Sequence, residues 1–189
     1  MEKTPDARQD LIQLIIELEL AMFRKVNARG NAPCQEMPET FRAMRWMAHS
    51  VLSEGTLSSY LDDLKTAAEA GRNLMTEKYA RMDNFIPPLK DDPEIISVLD
   101  EITAVEKRWM GEFAARYPHI VTGDGSAFAN YLRCELETYS EETLLLYLND
   151  VREALGQGRN LAQESYTNLF KSLGYASLDE VGRESRDRS

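Results

Sequence analysis

Two glutamates stand in the middle of apolar helical patterns, where a carboxylate is unexpected. Glu19 falls between Ile15 and Met22 at the three- and four-residue spacing of one helix face, and Glu106 lies in a similar apolar stripe. A buried carboxylate must either find a partner or keep its proton through a raised pKa. Groups of this kind suit general acid or base chemistry. We therefore predict that Glu19 and Glu106 point inward and are candidates for proton transfer.

The two glutamates occupy the same position of an internal repeat. Shifting the sequence by 87 positions aligns Phe41–Met82 with Phe128–Leu169 without a gap, and 15 of the 42 aligned pairs are identical. Glu19 and Glu106 are separated by the same 87 positions. This similarity predicts that the chain is a duplicated unit.

Other polar residues are expected at inward positions close to the two acids. Two of them, Arg45 and Lys78, align with Leu132 and Ser165 in the second half, so the first half keeps the cations and is the predicted place of chemistry. The predicted catalytic residues are Glu19, Glu106 and Lys78. The predicted substrate-binding residues are Arg45, Arg72, Tyr60, Tyr147, Arg159 and Glu135.

Three functions are compatible with such a polar centre. The leading hypothesis is a cofactor-independent enzyme that acts on a small molecule by proton transfer, of the lyase, isomerase or cyclase type, with Arg45, Arg72 or Lys78 orienting an anionic or carbonyl group. The alternative is a non-catalytic helical adaptor or dimerisation module, whose inward charges only fix the packing and leave no cavity, and which exposes an apolar patch of several hundred Å² to a partner. A third hypothesis is a binder of a cation or amine at the paired glutamates.

The elements that must position these residues are all helical. Apolar residues recur at three and four positions, no segment alternates with period two, and Pro and Gly separate the segments. We predict an all-α single domain, a six-helix bundle built from two three-helix repeats related by a pseudo-two-fold axis. The first repeat covers about residues 10–88 and the second about 92–175, and a short tail helix covers about 177–184.

One long helix per repeat, about residues 53–84 and 140–173, carries a glycine at an equivalent inner position. Glycine inside a helix costs about 1 kcal/mol relative to alanine. The presence of both Gly71 and Gly158 therefore predicts close helix packing at this point, or a kink made for a ligand. Asn73 and Asn160 are predicted to cap or to make surface hydrogen bonds.

The composition excludes several classes of protein. The chain has 32 acidic and 22 basic residues, a net charge of −10 that disfavours nucleic acid and anionic membrane surfaces as partners. The two histidines and two cysteines show no metal-ligand spacing, so we expect neither a metal nor a cofactor, and Cys34 is expected to be an incidental thiol. We expect a cytoplasmic protein with a small-molecule ligand; a homodimer is compatible with the sequence.

Several segments together resemble a known bacterial family, the proteins catalogued as domain of unknown function 4125. The segments are Glu17-Leu18-Glu19, Ser59-Tyr60-Leu61, Gly71-Arg72-Asn73-Leu74, Thr76–Met82, Thr138-Tyr139-Ser140 and Leu146-Tyr147. The resemblance covers nearly the whole chain. It implies no particular activity, so the functional hypotheses rest on the residues themselves.

Overall fold

A computed structural model describes residues 7–26 and 37–181, and within them every regular element is a helix. The helices are α1 (Ala7–Phe23), α2 (Pro38–His49), α3 (Glu54–Glu69), α4 (Leu74–Met82), α5 (Pro93–Arg116), α6 (Ser126–Leu136), α7 (Glu141–Gly156) and α8 (Leu161–Ser172). A further helical turn covers residues 178–181. The all-α prediction is confirmed. Cys34 and the end of the predicted tail helix lie outside the described residues.

The two long helices of the prediction are each divided at the repeated glycine. Gly71 has φ +70° and Gly158 has φ +66°, a left-handed conformation that ends a helix rather than continuing it. The amide of the following residue, Arg72 or Arg159, donates to the carbonyl five positions earlier at 2.8 Å. The described residues therefore form eight main helices, followed by the turn at 178–181, where we predicted six main helices and a tail helix. The predicted close packing is also wrong, since a Cβ on either glycine would meet no atom within 4 Å.

Asparagine starts the next helix after each of these turns. The side-chain oxygen of Asn73 accepts from the amide of Thr76, and that of Asn160 accepts from Gln163, both at 2.9 Å. Each side-chain amide also donates to a carbonyl of a neighbouring helix: that of Asn73 to Met22 in α1 at 2.8 Å, and that of Asn160 to Trp109 in α5 at 3.1 Å. The predicted capping role of both asparagines is confirmed. Capping fixes the angle at which α4 and α8 leave the turn.

The helices pack in two similar groups. The first helix of each group lies against the others, so that α1 contacts α2, α3 and α4, while α5 contacts α6, α7 and α8. The groups join where α3 packs on α7, α2 on α8 and α4 on α6. Leu57, Leu64, Leu144 and Val151 are fully buried in α3 and α7 and form the centre of the core. No helix in the described part of the chain is both long and apolar enough to cross a bilayer.

Reciprocal hydrogen bonds connect the start of each of the helices α3 and α7 to an aspartate in the interior of the other helix. The amide of Ser53, which caps α3, donates to Asp150 Oδ2 on α7 at 3.0 Å. The amide of Ser140, which caps α7, donates to Asp63 Oδ2 on α3 at 2.9 Å. The two bonds are equivalent under the shift of 87 positions, because Ser53 corresponds to Ser140 and Asp63 to Asp150. Each group of helices thus supplies the acceptor for the backbone amide of the other group's capping serine.

Candidate active site

Arg45 lies at the centre of a buried charged cluster that joins the two groups of helices. Its Nε and Nη2 atoms donate to the carboxylate of Glu19 on α1 at 2.8 and 2.5 Å. Its Nη1 and Nη2 atoms donate to Glu135 on α6 at 3.1 and 2.7 Å. Such two-pronged guanidinium–carboxylate pairs are among the strongest hydrogen bonds in proteins. The side chain of Arg45 is therefore fully engaged by carboxylates and fixes α2 between α1 and α6.

Lys78 of α4 completes the charge balance of the cluster. Its Nζ donates to Glu135 Oε2 at 2.5 Å and lies 3.4 Å from the centroid of the Tyr131 ring. Burial alone would raise the pKa of Glu135, but the charges of Arg45 and Lys78 lower it well below its usual range. Two cations thus face the two ionised carboxylates of Glu19 and Glu135.

Glu19 is fully partnered and stays ionised. It is 0% exposed, accepts from the Tyr60 hydroxyl at 2.9 Å, and lies 3.1 Å from His49 Nε2. Burial raises its pKa, but the charges of Arg45 and His49 and the hydrogen bonds from both side chains outweigh burial, so the pKa falls from 4.5 to about 2. A carboxylate in this state accepts hydrogen bonds and does not donate a proton near neutral pH.

Glu106 is the equivalent residue of the second half, and its state is the opposite. It is 4% exposed, and its only side-chain partner among the described residues is the Tyr147 hydroxyl at 3.3 Å. Burial raises its pKa from 4.5 to about 7, since the hydrogen bond from Tyr147 offsets little of the desolvation. The reason lies in the sequence: the positions of Arg45 and His49 are taken by Leu132 and Leu136 in the second half.

A cavity of about 280 Å³ lies beside Glu106, between α2, α5, α6, α7 and α8. Its polar lining includes Arg45, His49, Glu106 and Glu135. Five aromatic residues line it as well: Phe128, Tyr131, Tyr139, Tyr147 and Tyr166. Met44 also lines the cavity and is exposed, so the cavity approaches the surface beside α2.

The cavity exists because the second half has small residues at positions where the first half has long side chains. Ala162 and Ser165 line the cavity, and the corresponding residues of the first half are Met75 and Lys78, both buried. The Ser165 hydroxyl donates to the Ala162 carbonyl of its own helix at 2.9 Å and reaches no further. The interior of the first half is therefore filled by long side chains where the second half is hollow.

The structure brings together most of the predicted site residues, but not all of them. Glu19, Lys78, Arg45, Tyr60 and Glu135 belong to the buried cluster, whereas Glu106 and Tyr147 form a separate pair at the cavity. Glu19, Tyr60 and Lys78 do not line the cavity. The predicted centre of chemistry in the first half is thus a set of satisfied ion pairs, and the free space lies beside the second-half acid.

Arg72 and Arg159 lie outside the site. Their side chains are 52% and 42% exposed and pair with Glu77 and Glu164, each at 2.6 Å. They follow the left-handed glycines, and the turn carries them out of the apolar stripe to which a continuous helix would have assigned them. Their expected inward position is wrong, and the structure does not bring them together with the other predicted substrate-binding residues.

Sequence reasoning missed His49, Tyr131 and Tyr139. His49 follows Arg45 by four positions on the inner face of α2, and its Nδ1 atom is buried without a hydrogen-bond partner among the described residues. Tyr139 follows Glu135 by four positions and donates to Glu135 Oε1 at 3.0 Å. The four-residue spacing from an already predicted inward residue was the signal for both. No group of three or more possible metal ligands occurs in the described ranges.

Comparison with known proteins gives a family and no activity. No curated protein matches the chain, and no solved structure matches it. A family model described as "Protein of unknown function (DUF4125)" matches residues 9–183 and so covers nearly the whole chain, including every residue of the charged cluster and of the cavity. The chain therefore belongs to this family, the domain of unknown function 4125.

Proposed function

We propose that the protein is a cofactor-independent enzyme that transfers protons to or from a small molecule bound in the cavity beside Glu106. The observation that carries the proposal is a buried carboxyl group, with Tyr147 as its partner, that lines a cavity and has a pKa of about 7. A group with this pKa holds and releases a proton with comparable ease near neutral pH, as a general acid or base requires. Glu106 is the proposed catalytic residue.

Glu19 and Glu106 illustrate how one residue type can take two roles. Their pKa values are pushed in opposite directions, to about 2 and to about 7, by the presence or absence of a cationic partner. Divergent carboxylates of this kind mark the assignment of acid and base roles in many enzymes. We assign the proton-transfer role to Glu106 and a positioning role to Glu19, which holds Arg45 and His49 at the cavity wall.

His49 is a second group that could take part. Ionised Glu19 accepts hydrogen bonds only, so the Nε2 atom of His49 carries the proton that it shares with Glu19. In the neutral imidazole, Nδ1 then has a free lone pair, and His49 lines the cavity. A base at Nδ1 and an acid at Glu106 would allow a proton to be taken from one atom of a substrate and returned to another.

Two measurements test the proposal. The NMR signal of the Glu106 side-chain carboxyl carbon is identified by its loss in Glu106→Gln. In wild type this signal should titrate with a midpoint near neutral pH. A mixture of small metabolites incubated with the protein in D₂O should gain deuterium in one component with wild type and not with Glu106→Gln. A midpoint in the ordinary range of a glutamate, or equal deuterium uptake with both proteins, would refute the role of Glu106.

The adaptor alternative has less support. It required a solid polar centre, whereas the cluster borders a cavity of about 280 Å³. The large exposed apolar side chains of residues 7–26 and 37–181 are Leu14, Met37, Met44, Phe85, Leu145 and Leu173, and no described helix carries more than one of them. An interaction surface of several hundred Å² would need them to be contiguous.

We also propose that the fold is a single domain of two repeats related by an approximate two-fold axis between α3 and α7. Equal lengths of 16 residues for these two helices support this arrangement, and their starts are offset by the same 87 positions. The reciprocal bonds of Ser53 with Asp150 and of Ser140 with Asp63 support it further. Each repeat then contains four helices rather than the three that we predicted.

A further inference from the structure

We infer that the ligand of this cavity is a compact alkylammonium ion, whose charged end meets Glu106 and Tyr147 and whose chain lies among the aromatic side chains. The inference rests on the proposed function, because it takes the same cavity as the site. It names a class of substrate that the proton-transfer chemistry alone leaves open.

The charges around the cavity favour a cation. Arg45 is the only arginine or lysine among the described residues that line the cavity, and it is bound on both sides by Glu19 and Glu135; His49, which also lines the cavity, lies against Glu19. Lys78, which does not line the cavity, donates to Glu135 and balances the remaining charge of this carboxylate. Glu106 is left without a countercharge. An anionic ligand would find no free arginine or lysine among the described residues that line this cavity, whereas an ammonium ion would find a carboxyl group without a countercharge.

The first half of the chain shows how such a carboxylate is satisfied. There Arg45 and Tyr60 bind Glu19, and the equivalent pair in the second half is Glu106 with Tyr147. Leu132 replaces the arginine, so the second half keeps the acceptor and the phenol and lacks the cation. A ligand ammonium group supplies the missing charge.

The side chain of Lys78 shows how the first half of the chain holds an alkyl chain that ends in an ammonium group. Its buried chain ends in an ammonium group 3.4 Å from the centroid of the Tyr131 ring, and Ser165 takes the equivalent position in the second half. Tyr139, Tyr147 and Tyr166 also line the space, and aromatic rings attract organic cations by about 0.5–2 kcal/mol each. The cavity of about 280 Å³ lies just below the usual range of about 300–1,000 Å³ for drug-sized ligands. A small aliphatic amine fits these limits.

Binding should depend on pH through the ionisation of Glu106. Several other titratable or charged groups line the same cavity: Arg45 and His49 from α2, Tyr131 and Glu135 from α6, Tyr139 after α6, Tyr147 from α7 and Tyr166 from α8. An alkylamine stays protonated below about pH 10, so the change near neutral pH comes from the protein. Comparison of wild type with Glu106→Gln isolates Glu106 from the other groups, His49 included.

The test measures binding of n-butylamine by calorimetry, with 1-butanol and butyrate as uncharged and anionic probes of the same length. We expect n-butylamine to bind most tightly and its affinity to rise about tenfold from pH 6 to pH 8, as the ionised fraction of a group with a pKa of about 7 rises about tenfold. Glu106→Gln should lose this rise, while Glu69→Gln, which removes an exposed glutamate from α3, should keep it.

A second variant tests the cavity independently of the charge of Glu106. Ala162→Met places the residue of the first half into the cavity and changes no charge, and it should weaken n-butylamine binding at least tenfold. The inference is overturned if 1-butanol binds as tightly as n-butylamine at pH 8, or if filling the cavity leaves amine binding unchanged. Deuterium uptake that depends on Glu106, without preference for amines, would remove the substrate class and keep the proposed function.

Discussion

Replacing Glu106 by glutamine should make the protein more stable, and more so the higher the pH. The carboxyl group is buried on α5 with the Tyr147 hydroxyl as its partner, and burial raises its pKa to about 7. Glutamine has nearly the same shape and carries no charge at any pH. The substitution therefore removes the cost of ionising a buried group while the packing around α5 changes little.

The size of the effect follows from the pKa of Glu106 in the folded and unfolded states. Below pH 4.5 both states hold the proton, so stability is unaffected. Between pH 4.5 and about 7 the unfolded chain releases the proton and the folded protein retains it, so the free energy of unfolding falls as the pH rises. Each tenfold difference in proton affinity corresponds to about 1.4 kcal/mol, which gives a loss of about 3 kcal/mol by pH 8.

Urea unfolding followed by circular dichroism at pH 4, 6 and 8 measures this difference. The free energy of unfolding of Glu106→Gln minus that of wild type should grow by about 3 kcal/mol from pH 4 to pH 8. Glu69→Gln is the matched control, because it removes an exposed glutamate, and its difference should stay within about 0.5 kcal/mol. A flat difference for Glu106→Gln would show that Glu106 ionises as easily in the folded protein as in the unfolded chain.

Three further predictions concern the charged cluster and the turns. Arg45→Leu leaves the buried Glu19 and Glu135 without their guanidinium and should lower the free energy of unfolding by about 3–5 kcal/mol in urea titrations at pH 7. The low pKa of Glu19 stabilises the fold above pH 4.5, and this contribution, about 3 kcal/mol, is lost as the pH falls towards about 2; acid titration of Glu19→Gln should lack that part of the loss. Gly71→Ala and Gly158→Ala place a Cβ on a left-handed residue and should each cost about 1–2 kcal/mol in thermal unfolding, so an unchanged melting temperature would contradict the helix breaks.

The helix breaks show where a periodic pattern misleads. The apolar spacing continues from α3 through Gly71 into α4, because both helices face the same core, and periodicity alone therefore predicts one helix. The stop and start signals were nevertheless present in the sequence. A glycine in the left-handed conformation ends the first helix, and an asparagine two positions later caps the next one.

The burial of Glu19 and Glu106 could be expected from the sequence, but the difference between them could not be read from their own neighbours. The apolar stripes around the two residues are similar, whereas their pKa values depend on α2 and α6, which approach from elsewhere in the chain. The exchange of Arg45 for Leu132 in the alignment removes the countercharge of Glu106, whereas we used this exchange to predict the place of chemistry in the first half. The cavity required the structure, because it depends on how several small side chains combine in space.

The crossed bonds of Ser53 with Asp150 and of Ser140 with Asp63 suggest how an asymmetric centre can arise from a symmetric ancestor. A chain of half this length would carry one serine cap and one aspartate, so two copies could close both bonds as a pair. Joining the copies in one polypeptide frees each interior to change separately. One interior can then keep its buried ion pairs around Arg45, while the other loses its long side chains and contains a cavity.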